Sequence, residues 1–128
     1  MKILLDSHSF LWFVWADSRL SSTANSAIRD PANFKLLSIA SVWEIAIKSG
    51  NGKLQLGAPA DQFVRREIKR NNFTLLDISI SHAAAVESLP QHHKDPFDRI
   101  LAVQCLLENL TIVSIDAIFD AYGVPRIW

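Results

Sequence analysis

Four carboxylates, Asp6, Glu44, Asp98 and Asp116, carry the most consequential chemistry this 128-residue chain could have. Acids held within several ångströms of one another repel strongly unless a cation sits among them. Oxygen donors in that number suit Mg²⁺ or Mn²⁺ better than zinc. Such a site supports metal-assisted phosphodiester hydrolysis, in which bound ions activate water and stabilise charge on the phosphate. Taken singly, each acid has a simpler use. Asp6 and Asp116 can cap helices, Ser41-Val42-Trp43-Glu44 fits a capping box, and Glu44 can pair with Lys48 at i,i+4. Asp95-Pro96 reads as an N-cap followed by proline at the first helical position. Capping explains each carboxylate alone. It does not explain why neutral Ser, Thr or Asn is absent from positions that face each other.

Whether they face each other depends on the elements that carry them. Lys2-Ile3-Leu4-Leu5 is a short apolar run ended by Asp6-Ser7, the pattern of a buried strand running into a helix cap. Helical patterning follows to about Ala16 and again from Ser21 to Arg29. Phe34–Leu37 is a second strand, and apolar residues at Val42, Trp43, Ala46 and Ile47 form a helical stripe ending at Gly50-Asn51-Gly52. Pro59–Arg70 is a helix, Phe73–Leu76 a third strand, and short helices follow at Ser81–Ser88 and from Pro96 to about Glu108. Leu110–Val113 is the fourth strand, with Asp116 opening a last short helix. Short, wholly apolar strands separated by helices predict an α/β fold, a short central parallel sheet covered on both faces. Right-handed crossovers place every strand's carboxyl end along one edge, where open α/β sheets carry their sites. Asp6, Glu44, in the first turn of its helix, Asp98 and Asp116 all fall on that edge.

The rest of the composition narrows the field. The chain is long enough to bury roughly two-thirds of its unfolded surface as a single domain over residues 1–128. Apolar residues are 49% and charged residues 20%, which excludes a disordered chain. Thirteen basic side chains balance thirteen acidic ones, so affinity for nucleic acid has to come from a local patch. The longest apolar run, Phe10–Ala16, is far short of the roughly twenty residues that span a bilayer, so a cytoplasmic protein is expected. No Gly-rich phosphate loop, HExxH or GxSxG occurs. Cys105, the single cysteine, lies among Leu101, Ala102, Leu106 and Leu107 and reads as a core residue.

Strings around the four acids resemble a known family. Leu4-Leu5-Asp6, Ala40-Ser41-Val42-Trp43-Glu44-Ile45-Ala46-Ile47-Lys48, His93-Lys94-Asp95-Pro96-Phe97-Asp98-Arg99, and Ser114-Ile115-Asp116 with Phe119 and Tyr122-Gly123-Val124 are similar to the PIN domain, above all to VapC-type toxins of bacterial toxin–antitoxin pairs. The resemblance spans nearly the whole chain, with its motifs in order. It implies a three-layer α/β/α sandwich and a Mg²⁺- or Mn²⁺-dependent ribonuclease. Asp6, Glu44 and Asp98 match the family's core metal-binding acids, Asp116 its more variable fourth, and Ser41 the small hydroxyl residue that accompanies the glutamate. Asp95 belongs to the same string, as a cap or a group that steadies the ligands. The resemblance also implies an antitoxin partner and a homodimer.

Other residues bear on substrate and partner. Arg65, Arg66, Lys69 and Arg70 lie along one helical stripe, a solvated face or a phosphate-binding one. Arg99, next to an acid of the site, could guide an RNA backbone. His92 and His93 read as a solvated loop, and His8 and His82 carry no functional weight. The helix bearing Trp12, Phe13 and Trp15 is apolar all round, so its outer side is covered by the chain's own helices or by a partner. Two other functions stay open. A receiver-like phospho-switch domain also places acids at the carboxyl edge, but it wants an acidic pair after the first strand and a lysine after the last. Here Asp6 is followed by Ser7-His8, and no lysine follows Lys94. A catalytically silent PIN-like binding module is the other; the intact set of acids counts against it.

Overall fold

The computed structural model describes residues 1–128 and has a central sheet of parallel strands. In chain order the elements are β1 (Lys2–Leu5), α1 (Ser7–Val14), α2 (Ser22–Arg29), β2 (Phe34–Ser38), α3 (Ile39–Gly50), α4 (Ala60–Arg70), β3 (Thr74–Leu76), α5 (Ile80–Ala85), a 3-10 turn at Val86–Ser88, α6 (Pro96–Glu108), β4 (Thr111–Val113), α7 (Ile118–Ala121) and β5 (Arg126–Ile127). The strand order is β3-β2-β1-β4-β5, all parallel. β1 is central, with Leu4 level with Leu36 on one side and Ile112 on the other.

Alternation along these strands builds two cores. Ile3, Leu5, Leu37 and Val113 face one side, packed with Phe10, Leu11, Ile28, Ile45 and Phe63. Leu4, Leu36 and Ile112 face the other, packed with Leu101, Ala102, Cys105 and Phe119. The three inner strands β1, β2 and β4 are buried on both faces, which is why they read as continuous apolar runs, and the expected three-layer α/β/α sandwich follows. No helix is long and apolar enough to cross a membrane.

Several boundaries differ from the sequence reading. α1 ends at Val14, and Ala16 takes a left-handed φ of 51° that no helix continues through. α3 begins at Ile39, capped by Ser38, whose hydroxyl accepts from the Ala40 amide at 3.0 Å. Ser41 is therefore inside the helix, the Ser41–Glu44 capping box does not form, and Glu44 stands in the second turn instead of the first. Asp116 precedes α7 and accepts from the Ile118 amide at 3.0 Å. The chain then closes with β5, two residues that pattern alone does not announce. A left-handed Gly123 (φ 75°) makes the turn that brings it back beside β4.

Candidate metal centre

The carboxyl ends of the central strands converge as the parallel topology requires. Asp6 follows β1, and its Oδ1 accepts from the Ser9 amide at 2.9 Å as the N-cap of α1. The Ser9 hydroxyl donates to the Val113 carbonyl at 2.9 Å, tying the start of α1 to the end of β4. That bond fixes Asp6 against the loop that carries Asp116. Glu44 reaches in from α3: one carboxylate oxygen accepts from the Ser7 hydroxyl, the other from Lys48 Nζ at 3.0 Å. Asp98 lies in the first turn of α6, capped by Asp95 through the Phe97 amide at 2.9 Å. Asp6, Glu44, Asp95, Asp98 and Asp116 line one cleft of about 260 Å³ with His8, Lys48 and Ile115.

His93 completes this group. Its Nδ1 accepts from the Asp95 amide at 3.1 Å, which leaves Nε2 to face the acids. Nε2 is 3.0 Å from an Asp98 oxygen and 3.6 Å from an Asp116 oxygen, and one atom from each of the three residues could hold an ion. The sequence places His93 in a solvated loop; the structure corrects this to a half-buried residue whose ring reaches two acids of the cleft. The only local signal was its position two residues before Asp95. His92 is exposed, as that reading has it, with its ring against Tyr122.

The electrostatics reflect crowding. The Asp98 carboxyl is pushed up to about 7, first by burial, then by the charges of Asp95 and Asp6, with His93 pulling down and Glu44 adding a push upward. Burial also raises Asp6, offset in part by hydrogen bonds from Ser114 and Ser9. Five carboxylates share the cleft with one lysine. That donor set fits a hard divalent cation, which would lie among Asp6, Glu44, Asp98 and Asp116 and relieve the repulsion. Ser41, one turn before Glu44, is buried with no hydrogen-bond partner for its hydroxyl.

Residues 3–125 match the PIN domain family. The chain belongs to that family. Solved structures with the same fold include VapBC2 of Rickettsia felis bound to a promoter DNA fragment (TM-score 0.70, 13% identity, 98% of this chain and 97% of that one). VapBC-1 of nontypeable Haemophilus influenzae superposes with a TM-score of 0.66 at 12% identity, over 98% of this chain and 96% of that one. FitAcB of Neisseria gonorrhoeae gives 0.60 at 18% identity, over 97% and 95%. At such identities the likeness is one of fold. No protein of curated function matches the chain.

Other expected site residues lie elsewhere in this PIN domain. Arg99 is 7% exposed and does not face the cleft. Its guanidinium donates to the carbonyls of Val86 (3.3 Å), Leu89 (3.2 Å), Pro90 (2.9 Å) and His93 (3.4 Å), and to the Tyr122 hydroxyl (3.3 Å). It clamps the loop that carries His93, and the expected guidance of an RNA backbone gives way to this role. Arg99→Met should leave those acceptors buried without a donor and cost about 2–4 kcal/mol in urea unfolding. A loss under about 0.5 kcal/mol would show that the loop holds without it.

Arg65, Arg66, Lys69 and Arg70 sit in the carboxyl half of α4, which leads into the start of β3 at the opposite sheet edge. Arg65 pairs with Asp61 at 2.6 Å, and Arg66 and Arg70 approach the buried Glu67 carboxylate at 3.3 and 3.5 Å. The stripe is thus apart from the acids. Trp12 stacks on His8 (5.4 Å) and meets Trp128 (6.0 Å), while Phe13 packs on Phe73 (6.2 Å). Trp15 touches Phe63 at 6.3 Å and stays 40% exposed. Much of the α1 aromatic run is therefore covered by the chain itself. His82 is buried as the capping partner of Ser79 and bonds Glu108 at 2.9 Å, a structural position. Burial pushes the Cys105 thiol up to about 12, which leaves it a core residue and no nucleophile.

Proposed function

We propose that this PIN domain is a Mg²⁺- or Mn²⁺-dependent endoribonuclease, the toxin of a toxin–antitoxin pair, acting as a single domain over its 128 residues. The observation that carries the reading is the convergence of Asp6, Glu44, Asp98 and Asp116 on one cleft, with Asp98 raised to about 7 by burial first and then by the charges of its acidic neighbours. Asp6, Glu44, Asp98 and Asp116 would hold the ion, which when bound supplies the positive charge that activates water and stabilises the phosphate.

The chain's own groups do the positioning. Ser9 holds Asp6 rigid as a cap, Ser7 and Lys48 hold Glu44 by both oxygens, and His93 holds Asp98 and Asp116 against each other. Lys48 is the cleft's one lysine and offers a point charge to a phosphate oxygen. The similarity to the VapBC and FitAcB structures supports an antitoxin partner, and a homodimer is part of the same proposal. The half-covered aromatics Trp12 and Phe13 of α1, with Trp15 just after it, are the surface we assign to that partner.

Cleavage of single-stranded RNA by the purified protein is the test, and its pH dependence carries the sign of the Asp98 shift. A carboxyl raised to about 7 is protonated and a poor ligand below that pH. At limiting Mn²⁺, cleavage should rise severalfold as pH increases from about 6 to 8. A flat profile at limiting metal would separate Asp98 from metal binding, and absence of cleavage at any pH would remove the nuclease reading.

A further inference from the structure

His93 Nε2 lies 3.0 Å from an Asp98 oxygen and 3.6 Å from an Asp116 oxygen, and spacing alone would let the three residues share one cation. The proton on the ring decides otherwise. A backbone amide can only donate, and the Asp95 amide meets Nδ1 at 3.1 Å, so Nδ1 is the bare nitrogen. In the neutral imidazole the proton then stands on Nε2, facing Asp98. Histidines that bind metals are arranged the other way round. Their remote nitrogen donates to a carbonyl or carboxylate, which leaves the near one free to bind. Here the near nitrogen is the donor. It is within hydrogen-bond reach of Asp98, whereas 3.6 Å to Asp116 is an electrostatic contact only.

The ring is also held in place through its own backbone. The His93 amide donates to the Tyr122 hydroxyl at 2.9 Å, and the His93 carbonyl accepts from Arg99 at 3.4 Å. Asp95, whose amide sets the tautomer, is itself fixed as the N-cap of α6 through the Phe97 amide. Asp98 stands in the first turn of the same helix. Cap, tautomer and acid therefore belong to one rigid unit.

We propose that His93 is a positioning residue, locked as an Nε2–H donor that fixes the rotation of Asp98, and that the centre therefore offers an ion oxygen atoms only. The proposal rests on the metal-ion part of the ribonuclease reading and adds what selects the ion. An imidazole nitrogen draws Ni²⁺ and Zn²⁺ strongly and Mg²⁺ hardly at all. A histidine that withholds its nitrogen removes the advantage those ions would have at a mixed site, while its N–H holds the acid ready for a hard one.

The test reads metal binding with no RNA present. Mn²⁺ affinity comes from the electron paramagnetic resonance of the free ion and Ni²⁺ affinity from calorimetry, for the native chain, His93→Ala and His93→Gln. Long-range ¹H–¹⁵N spectra of the native imidazole, which need no variant, locate the ring proton without metal and with Zn²⁺. His93→Ala should weaken Mn²⁺ about tenfold and Ni²⁺ by the same factor, with a thermal melt close to native. His93→Gln, whose side-chain amide still donates, should recover most of the loss. Nε2 should keep its proton with Zn²⁺ bound. Ni²⁺ lost far more than Mn²⁺, or an Nε2 stripped of its proton by Zn²⁺, would make His93 a ligand and overturn the proposal. Native affinity in His93→Ala, or no recovery in His93→Gln, overturns it as well. A native chain that binds no Mn²⁺ removes the centre and the proposal together. A native chain that binds Mn²⁺ and cuts no RNA defeats the ribonuclease reading alone.

Discussion

Asp6→Asn should cut RNA at least about a hundredfold more slowly than the native chain in Mn²⁺, with the fold intact. The amide keeps the shape of the carboxylate and can still accept from the Ser9 amide, so the cap of α1 survives. What it loses is a charged oxygen at the centre of the cleft. A cap role and a ligand role thus make opposite forecasts for one substitution: a small change in stability with native activity, or native stability with almost none. Cleavage time courses beside a thermal melt decide between them. Native-rate cleavage would reduce Asp6 to a cap.

A second large effect concerns stability. Without metal, the cleft holds five carboxylates against one lysine, and Asp98 is raised to about 7. A raised folded-state pKa means that the native state binds more protons than the unfolded chain. This group's stabilisation is therefore present at low pH and lost as pH rises through about 7. Asp98→Asn removes the repulsion outright, so in EDTA at pH 8 the variant should be more stable than the native chain by about 1–2 kcal/mol. Mn²⁺ should reverse the order. At a hundred times its dissociation constant the ion adds about 2.7 kcal/mol to the native fold, and far less to a variant with one ligand fewer. Independent caps predict neither change. A variant less stable in EDTA, together with a native chain indifferent to Mn²⁺, would dissolve the shared site.

Much of this was legible in the chain because burial on both faces writes itself into a strand. Ile3-Leu4-Leu5, Leu36-Leu37 and Ile112-Val113 are apolar without alternation, and such runs separated by helices are the pattern of a covered parallel sheet. Once the sheet is parallel, the four acids fall on its carboxyl edge with no further information. β5 has no such signature: Arg126 and Ile127 pair only with β4 at the sheet's edge. Ser38 and Ser41 are rival caps three residues apart, and Glu44 favoured the wrong one. Ser38 caps α3 because β2 runs through it, leaving Ser41 buried in the first turn.

Arg99 and His93 show what spacing cannot supply. Arg99 is next to Asp98 in sequence, but one step along α6 turns it about 100° away from the acids and onto the Val86–His93 carbonyls. That contact holds the loop close, and the loop then delivers His93 Nε2 to Asp98 and Asp116. His93 becomes a site residue through a fold-over of the chain that no periodicity encodes.

The account turns on one centre whose acids act together through a divalent ion. RNA cleavage by the native chain under chelation and restoration tests it most directly, with Asp98→Asn alongside. The account predicts no cleavage in EDTA, full recovery on adding Mn²⁺, and little recovery in Asp98→Asn at the same concentration. Cleavage that persists in EDTA, or recovers equally in both proteins, would contradict it.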